Sequence, residues 1–135
     1  MTRLTAIALA MTLAAATAGP ALAEDGDTAK GEKYFNQRCK VCHLVGEGAK
    51  NRPTGPMLND IIGVKAGSRD GFKYSKAMKE AGAEKGIVWD DETLNGYLEK
   101  PKKFIPKNRM GFGGIKNEET RKGVIAYLKK FSSGQ

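Results

Sequence analysis

Apolar residues recur at helical spacing along most of the chain, and no stretch alternates apolar and polar residues for long enough to form a strand. The clearest helix begins near Asn117, whose side chain can cap its first turn, and ends in a pair of lysines. Its apolar residues Val124, Ile125, Leu128 and Phe131 share one face. The pattern predicts an all-α protein.

Four further helices are predicted. The first begins at Asp27 or Thr28 and runs to about Lys40, with Gly31 in its interior. Because a glycine there destabilises a helix by about 1 kcal/mol relative to alanine, Gly31 indicates that another backbone packs closely against it. The other three helices are expected at Met57–Ile62, at Tyr74–Ala81 with Gly82 as its end, and at Asp91–Glu99 before Pro101.

Two long connections separate these helices. Residues 44–56 and 101–116 are rich in glycine and proline, which predicts loops in both places. A domain this small needs something besides helix packing to hold so much loop.

The N-terminal segment has the pattern of an export signal. Arg3 precedes an apolar run over residues 4–18, which is followed by a small-residue box that ends at Ala23. The run is shorter than the roughly 20 residues that span a membrane, which disfavours a retained anchor. We therefore expect a signal peptide over 1–23, cleaved after Ala23, a single domain over 24–135, and a periplasmic location.

The chain is basic. Its net charge is +8, and removal of residues 1–23, which hold one basic and no acidic residue, leaves +7. Such a domain could bind nucleic acid, an anionic membrane or an acidic protein. Export and the scattered placement of the lysines argue against nucleic acid.

The chemistry is concentrated in one short segment. Cys39 and Cys42 are the only cysteines, and His43 is the only histidine. In an exported chain, two cysteines three positions apart followed by histidine predict one covalently bound haem c, with both thiols joined to the haem and the imidazole bound to its iron. A dithiol redox site would need a strand–helix context, and zinc would need a fourth ligand.

The second axial ligand is less constrained. With no second histidine, the choices are a methionine, a lysine or an open position. Among Met57, Met78 and Met110, the last is favoured because its glycine-rich loop could fold over the opposite haem face. Met78 is better explained as a packing residue of its helix.

The segment from Tyr97 to Pro106, followed by Met110, Phe112 and 114–116, makes the chain resemble a class I cytochrome c of the mitochondrial-like, bacterial c-two type. The resemblance covers nearly all of the expected domain. It implies a small cytochrome c fold, with about five helices and long loops wrapped around one covalent haem.

The resemblance also implies roles for individual residues. Met110 would be the sixth ligand, and the Pro56 carbonyl would accept a hydrogen bond from His43. Further implied roles are haem-propionate binding by Tyr74 and Trp89, a place for Tyr97 near the Met110 sulfur, and packing of Gly31 and Phe35 against Val124 and Tyr127. Three positions depart from the mitochondrial pattern, namely Val64 in place of an arginine, Met78 in place of an asparagine and Asn108 in place of a threonine. Asn108 is nevertheless expected to be a haem-contacting residue, since it can still donate a hydrogen bond.

The function expected is that of a monomeric electron carrier and not an enzyme. Its partners would be acidic redox proteins such as a membrane oxidase, a reaction centre or a cytochrome bc-type complex, with only transient contact to the membrane. An open iron that reacts with peroxide or binds gases is the alternative, disfavoured because no distal histidine exists. The residues expected to dock partners are Lys33, Arg38, Lys40, Lys102, Lys103, Arg109 and Lys116.

Overall fold

The computed structural model describes residues 27–133, which form five α-helices, with long loops before α2 and before α5. These are α1 (Thr28–Tyr34), α2 (Lys76–Ala83), α3 (Asp91–Glu99), α4 (Pro101–Phe104) and α5 (Glu118–Lys129). The predicted signal peptide lies outside the described residues. The all-α prediction is confirmed.

The chain continues from α1 into a π-helical turn, Phe35–Cys39. Asp27 caps α1 by accepting a hydrogen bond from the Lys30 amide at 3.0 Å. Together the two segments match the single helix predicted from Asp27 to Lys40. The wider turn brings Cys39 to the end of the helix, where the expected attachment segment begins.

The bounds of α3 and α5 agree with the sequence prediction because both helices carry strong N-caps. Asp90 accepts a hydrogen bond from the Thr93 amide at 2.8 Å, and the Thr93 hydroxyl accepts one from the Asp90 amide at 2.9 Å. Asn117 accepts one from the Thr120 amide at 2.8 Å. Each cap satisfies amides that have no partner within their own helix.

Helices α1 and α5 cross at a contact between two glycines. A Cβ atom on Gly31 would lie 1.9 Å from the carbonyl oxygen of Gly123. Beside this contact, the rings of Phe35 and Tyr127 pack with centroids 5.4 Å apart. Phe35 and Val124 are almost fully buried, so the predicted packing around Gly31 is confirmed.

Three local predictions were wrong. Residues 57–62 form turns and no helix, because Asp60 has a φ of 52° and the Leu58 amide donates to the Leu44 carbonyl. Gly82 lies inside α2 and does not end it; the position requires glycine because a Cβ there would lie 2.0 Å from the Ala66 carbonyl oxygen. Pro101 begins α4 in a segment predicted as loop, because proline is well suited to the first turn of a helix.

Within residues 27–133, none of the helices combines the length and the apolar character that a membrane crossing requires.

The glycine contact predicts a large stability loss for Gly31→Ala. The added methyl group would meet backbone atoms of α5, so we expect the free energy of unfolding to fall by about 3 kcal/mol. Gly113→Ala is the control, because a Cβ there has nothing within 4 Å. Its effect should stay within about 0.5 kcal/mol. Urea unfolding followed by circular dichroism measures both, and equal losses in the two variants would contradict the close contact.

Candidate haem-binding site

The attachment segment is a tight turn at the end of the first helix. The amides of Cys42 and His43 donate to the Cys39 carbonyl at 3.0 Å and 2.9 Å. Both thiols are half-buried, and they are not joined to each other in a disulfide. The turn therefore places two thiols and one imidazole within a single five-residue segment, which supplies the groups needed for covalent haem attachment.

The state of Cys39 bears on the dithiol alternative. Burial raises the pKa of the Cys39 thiol to about 11, although the nearby Arg38 charge opposes the shift. Reactive dithiols have lowered pKa values, so this thiol is poorly suited to disulfide exchange. Among the described residues, no group of three or more His, Cys, Asp or Glu side chains is arranged to hold a metal ion, which leaves the zinc alternative without a ligand set there.

An arginine outside the motif holds the turn between the cysteines. Arg52 Nη1 donates to the carbonyls of Lys40 and Val41 at 2.9 Å and 3.0 Å. The Arg52 backbone is itself paired with Gly55. Sequence reasoning missed Arg52, because nothing about an arginine in a glycine- and proline-rich loop indicates which carbonyls its side chain will meet.

His43 is held by the loop that follows. Its Nδ1 lies 2.7 Å from the Pro56 carbonyl oxygen, which accepts a hydrogen bond when Nδ1 carries the proton. Burial lowers the pKa of His43, and the bond to Pro56 partly opposes that shift. A neutral ring with its proton on Nδ1 leaves Nε2 free to bind a metal.

Gly55 is needed for this arrangement. A Cβ atom there would lie 2.8 Å from the Cys42 carbonyl oxygen and 2.8 Å from His43 Cε1. The backbone before Pro56 therefore runs directly along the imidazole ring. Any larger residue at this position would push the loop away from His43.

Met110 lies in the loop between α4 and α5. Its sulfur accepts a hydrogen bond from the Tyr97 hydroxyl at 3.8 Å. Tyr97 is buried, and this burial raises its pKa so that the hydroxyl keeps its proton. The predicted proximity of Tyr97 to the Met110 sulfur is therefore present.

Asn108 fixes the backbone that leads into Met110. It is only 2% exposed, and its Nδ2 donates to the carbonyls of Pro101 and Ile105 at 2.8 Å and 2.7 Å. Its Oδ1 accepts from the Met110 amide at 2.9 Å. Asn108 was predicted as a haem-contacting residue that could donate a hydrogen bond, and its amide donors serve α4 and the turn after it.

Tyr74 lies just before α2, and Trp89 lies in the connection between α2 and α3. Tyr74 is half-buried against Phe72, and Trp89 is 6% exposed with its ring 5.0 Å from that of Tyr97. Neither the Tyr74 hydroxyl nor the Trp89 indole N–H has a hydrogen-bond partner among the described residues. Both donors are available to a ligand.

Met78 and Val64 are the other two positions that depart from the mitochondrial pattern, and their surroundings differ. Met78 is 8% exposed within α2 and belongs to the hydrophobic core, which confirms its interpretation as a packing residue. Val64 is half-buried, and its carbonyl accepts a hydrogen bond from the Trp89 amide at 2.9 Å.

These features fit a haem. Two thiols, an imidazole with a free nitrogen and a thioether sulfur match the groups that attach and ligate a c-type haem. Apolar side chains that are only partly buried border the core and provide surface for a flat ligand, among them Val45, Leu58, Ile62, Phe104 and Phe112.

All seven residues predicted to dock partners are exposed. Arg38 and Lys40 flank Cys39, and Arg109 flanks Met110, so positive charge borders both sides of the site. Two of the seven are tied to backbone, since Lys102 Nζ donates to the Asn108 carbonyl and Arg109 Nη2 to the Lys73 carbonyl.

Comparison with known proteins gives a consistent result. Residues 28–132 match the family model described as cytochrome c. The chain is 50% identical to cytochrome c2 of Afifella marina over 111 residues, which is 82% of this chain and 87% of that protein. It is 47% identical to cytochrome c2 of Rhodomicrobium vannielii over 123 residues, which is 91% of this chain and 94% of the relative.

A solved structure has the same fold. Cytochrome cH from Methylobacterium extorquens is 40% identical, with a TM-score of 0.68, and the match covers 78% of this chain and 99% of that chain.

The Asn108 contacts predict a stability loss for Asn108→Ala. The Met110 amide and two carbonyls would lose their buried partner, so we expect the free energy of unfolding to fall by about 2–3 kcal/mol. Asn108→Thr keeps an oxygen that can accept from the Met110 amide and should lose about half as much. Urea unfolding distinguishes the two, and a neutral Asn108→Ala would contradict the role of Asn108 in fixing this loop.

Proposed function

The chain belongs to the cytochrome c family, and from this membership we propose that it carries single electrons on a haem ligated by His43 and Met110. The family establishes the coarser part, an electron-transfer protein of the bacterial c2 type with one covalently attached haem c. The expectations for the cofactor, for the fold and for an electron carrier that is not an enzyme are confirmed by it. The ligand pair, the docking surface and the periplasmic location are our proposals.

The histidine side of the site is built for a fixed ligand. The haem, when bound, supplies the one-electron chemistry, and we propose that Cys39 and Cys42 carry its covalent links. The hydrogen bond from Nδ1 to Pro56 sets the orientation of the His43 ring and makes Nε2 a better donor to iron. Arg52 holds the backbone between the two cysteines, so thiols and imidazole keep a common frame.

The main observation that supports the proposed ligand pair is the contact of the Met110 sulfur with the Tyr97 hydroxyl. The Tyr97 hydroxyl restrains the sulfur, while Asn108 restrains the backbone amide of the same residue. A ligand restrained at both ends stays in place in both oxidation states. Little then has to move during electron transfer, which makes the transfer fast. A methionine ligand also raises the reduction potential relative to two histidines.

Docking would use the exposed basic residues beside the attachment segment and the Met110 loop. None of the seven forms an ion pair with a carboxylate within residues 27–133, so their charge is available to a partner. Such a surface would steer acidic redox proteins into short-lived contact. We propose a membrane oxidase, a reaction centre or a cytochrome bc-type complex as partners, reached from the periplasm by the exported monomer.

Replacement of Met110 tests the ligand pair. Met110→Ala should abolish the near-infrared sulfur-to-iron band of the ferric protein and lower the reduction potential, because the thioether is lost while both covalent links remain. Visible and near-infrared spectra with a redox titration measure the change. Met57→Ala is the control and should keep both the band and the potential. A band that survives in Met110→Ala would refute this ligand assignment.

Charge reversal tests the docking surface. Lys40→Glu with Lys103→Glu should slow the reaction with a purified cytochrome bc-type complex about tenfold at low salt, because electrostatic steering is lost. The wild-type rate should itself fall as salt rises. Stopped-flow absorption measures both effects.

The control is Lys85→Glu, a single reversal at an exposed lysine in the turn after α2. It should change the rate by less than about twofold. If Lys85→Glu slowed the reaction equally, net charge and not the position of the charges would control the encounter. If the wild-type rate were independent of salt, charge would not control the encounter at all.

A further inference from the structure

Arg121 is a buried cation that meets no carboxylate within residues 27–133. It lies on α5, is 6% exposed and forms no ion pair in that range. Its Nε donates to Asn95 Oδ1 at 2.7 Å, and its Nη1 donates to the carbonyls of Ile115 and Lys116 at 2.8 Å and 3.0 Å. A charge buried without a counter-charge destabilises a fold, so its presence calls for a role that a neutral side chain would not fill.

The hydrogen bonds of Arg121 join three segments of the chain. Arg121 belongs to α5 and Asn95 to α3, whereas the two carbonyls belong to the end of the loop that carries Met110. We call residues 114–116 the loop exit. A guanidinium suits such a junction because its planar donors point in several fixed directions, which the single nitrogen of a lysine cannot match. Arg121 therefore holds the loop exit against both helices.

Backbone contacts also hold the loop exit along α3. The Ile115 amide donates to the Leu98 carbonyl at 2.8 Å. Gly114 has a φ of 100°, and a Cβ atom there would lie 2.0 Å from the Glu99 carbonyl oxygen. The loop exit therefore lies directly on the last turn of α3.

The same stretch of α3 carries the tyrosine that contacts the proposed ligand. The Tyr97 hydroxyl donates to the Met110 sulfur at 3.8 Å. Along α3, Tyr97 stands between Asn95, which accepts from Arg121, and Leu98, which accepts from the loop exit. The group that restrains the sulfur and the end of the loop that bears it are thus fixed to one short piece of helix.

We propose that Arg121 is a positioning residue for Met110, because it keeps the loop exit and Tyr97 in one frame and so keeps the thioether on the iron. The inference rests on the ligand pair proposed above. Without the guanidinium, the loop exit would lose its link to α5 and to Asn95. The sulfur and the Tyr97 hydroxyl could then move apart.

The part of the loop between its two anchors has little packing of its own. Asn108 holds the backbone before the ligand by accepting from the Met110 amide at 2.9 Å. After the ligand, a Cβ atom on Gly111 or on Gly113 would have nothing within 4 Å. The next firm contact is the loop exit at Ile115, so the hold on Met110 from this side depends on that anchor.

An added iron ligand measures this hold. A loop that is fixed less firmly has Met110 off the iron for a larger fraction of the time. Imidazole would bind the iron in that open state, so its apparent affinity rises with the population of the open state. The competition reports the hold on Met110, whereas urea unfolding reports the stability of the whole fold.

The test titrates imidazole into the haem-loaded ferric protein and follows the loss of the near-infrared sulfur-to-iron band. Arg121→Leu removes the hydrogen bonds of the guanidinium and should lower the imidazole concentration at half-displacement about tenfold. Arg121→Lys keeps the charge and one donor group, so it should lower this concentration only about threefold. A titration of Arg121→Leu that matches the wild type would overturn the proposal and leave Arg121 as a tie between two helices.

Lys129→Leu is the matched control. Lys129 also joins α5 to α3, with its Nζ 2.7 Å from Asp91 Oδ2, but Asp91 is at the other end of α3 from the loop exit. The control should stay within about twofold of the wild-type titration, whatever its effect on urea unfolding. An equal shift in Lys129→Leu would mean that any loosening of the helix pair frees the ligand, which would also contradict the proposal.

A second variant keeps the test decisive if Arg121→Leu fails to fold. Asn95→Ala removes the acceptor of Nε and leaves both carbonyl bonds of Arg121 in place, so it should shift the titration in the same direction by about threefold. No shift in Asn95→Ala would refute the link between α3 and the loop exit. Absence of the near-infrared band in the wild type would refute Met110 ligation itself. Its presence, with an unchanged titration in the variants, would refute this inference alone.

Discussion

The backbone contact between Gly31 and Gly123 decides where the attachment segment lies. At this crossing α1 approaches α5 more closely than any pair of side-chain-bearing residues would allow, and Phe35 and Tyr127 pack beside it. The π-helical turn that ends at Cys39 follows directly, so the position of the thiols depends on the helix crossing. The two thiols that we propose carry the haem therefore lie next to a closely packed helix crossing.

The two sides of the site are held by different means. On the histidine side, backbone carbonyls and amides act within short loops, with Gly55 permitting the approach to His43 and Pro56 accepting from Nδ1. On the methionine side, side chains from α3 and the loop itself act on Met110, through Tyr97 and Asn108. The first arrangement fixes a ring orientation. The second restrains the flexible Met110 side chain through its sulfur and its backbone amide, as its proposed role as a ligand would require.

Sequence reasoning located α3 and α5 because Asp90 and Asn117 are caps that act within one helical turn. It placed a helix at 57–62 that is absent, because the contacts of Leu44 and Phe131 that determine this backbone come from far along the chain. The same limit applies to the site. The attachment motif is a short stretch of sequence, so it can be recognised before the structure is known. The partners of Arg52, Arg69 and Asn108 are carbonyls that only folding brings close, so the sequence does not reveal them.

A domain this small needs more than helix packing to hold its long loops in place. The partly buried side chains around the site are apolar, so an apolar ligand would suit them. Val45 and Ile62 come from the connection between the π-helical turn and α2, and Phe112 comes from the connection between α4 and α5, so an apolar ligand at this core would contact both connections. A purely apolar ligand would leave the Tyr74 hydroxyl and the Trp89 indole N–H without a partner among the described residues. The haem proposed for this site has an apolar ring and two carboxylates, so it would meet both needs.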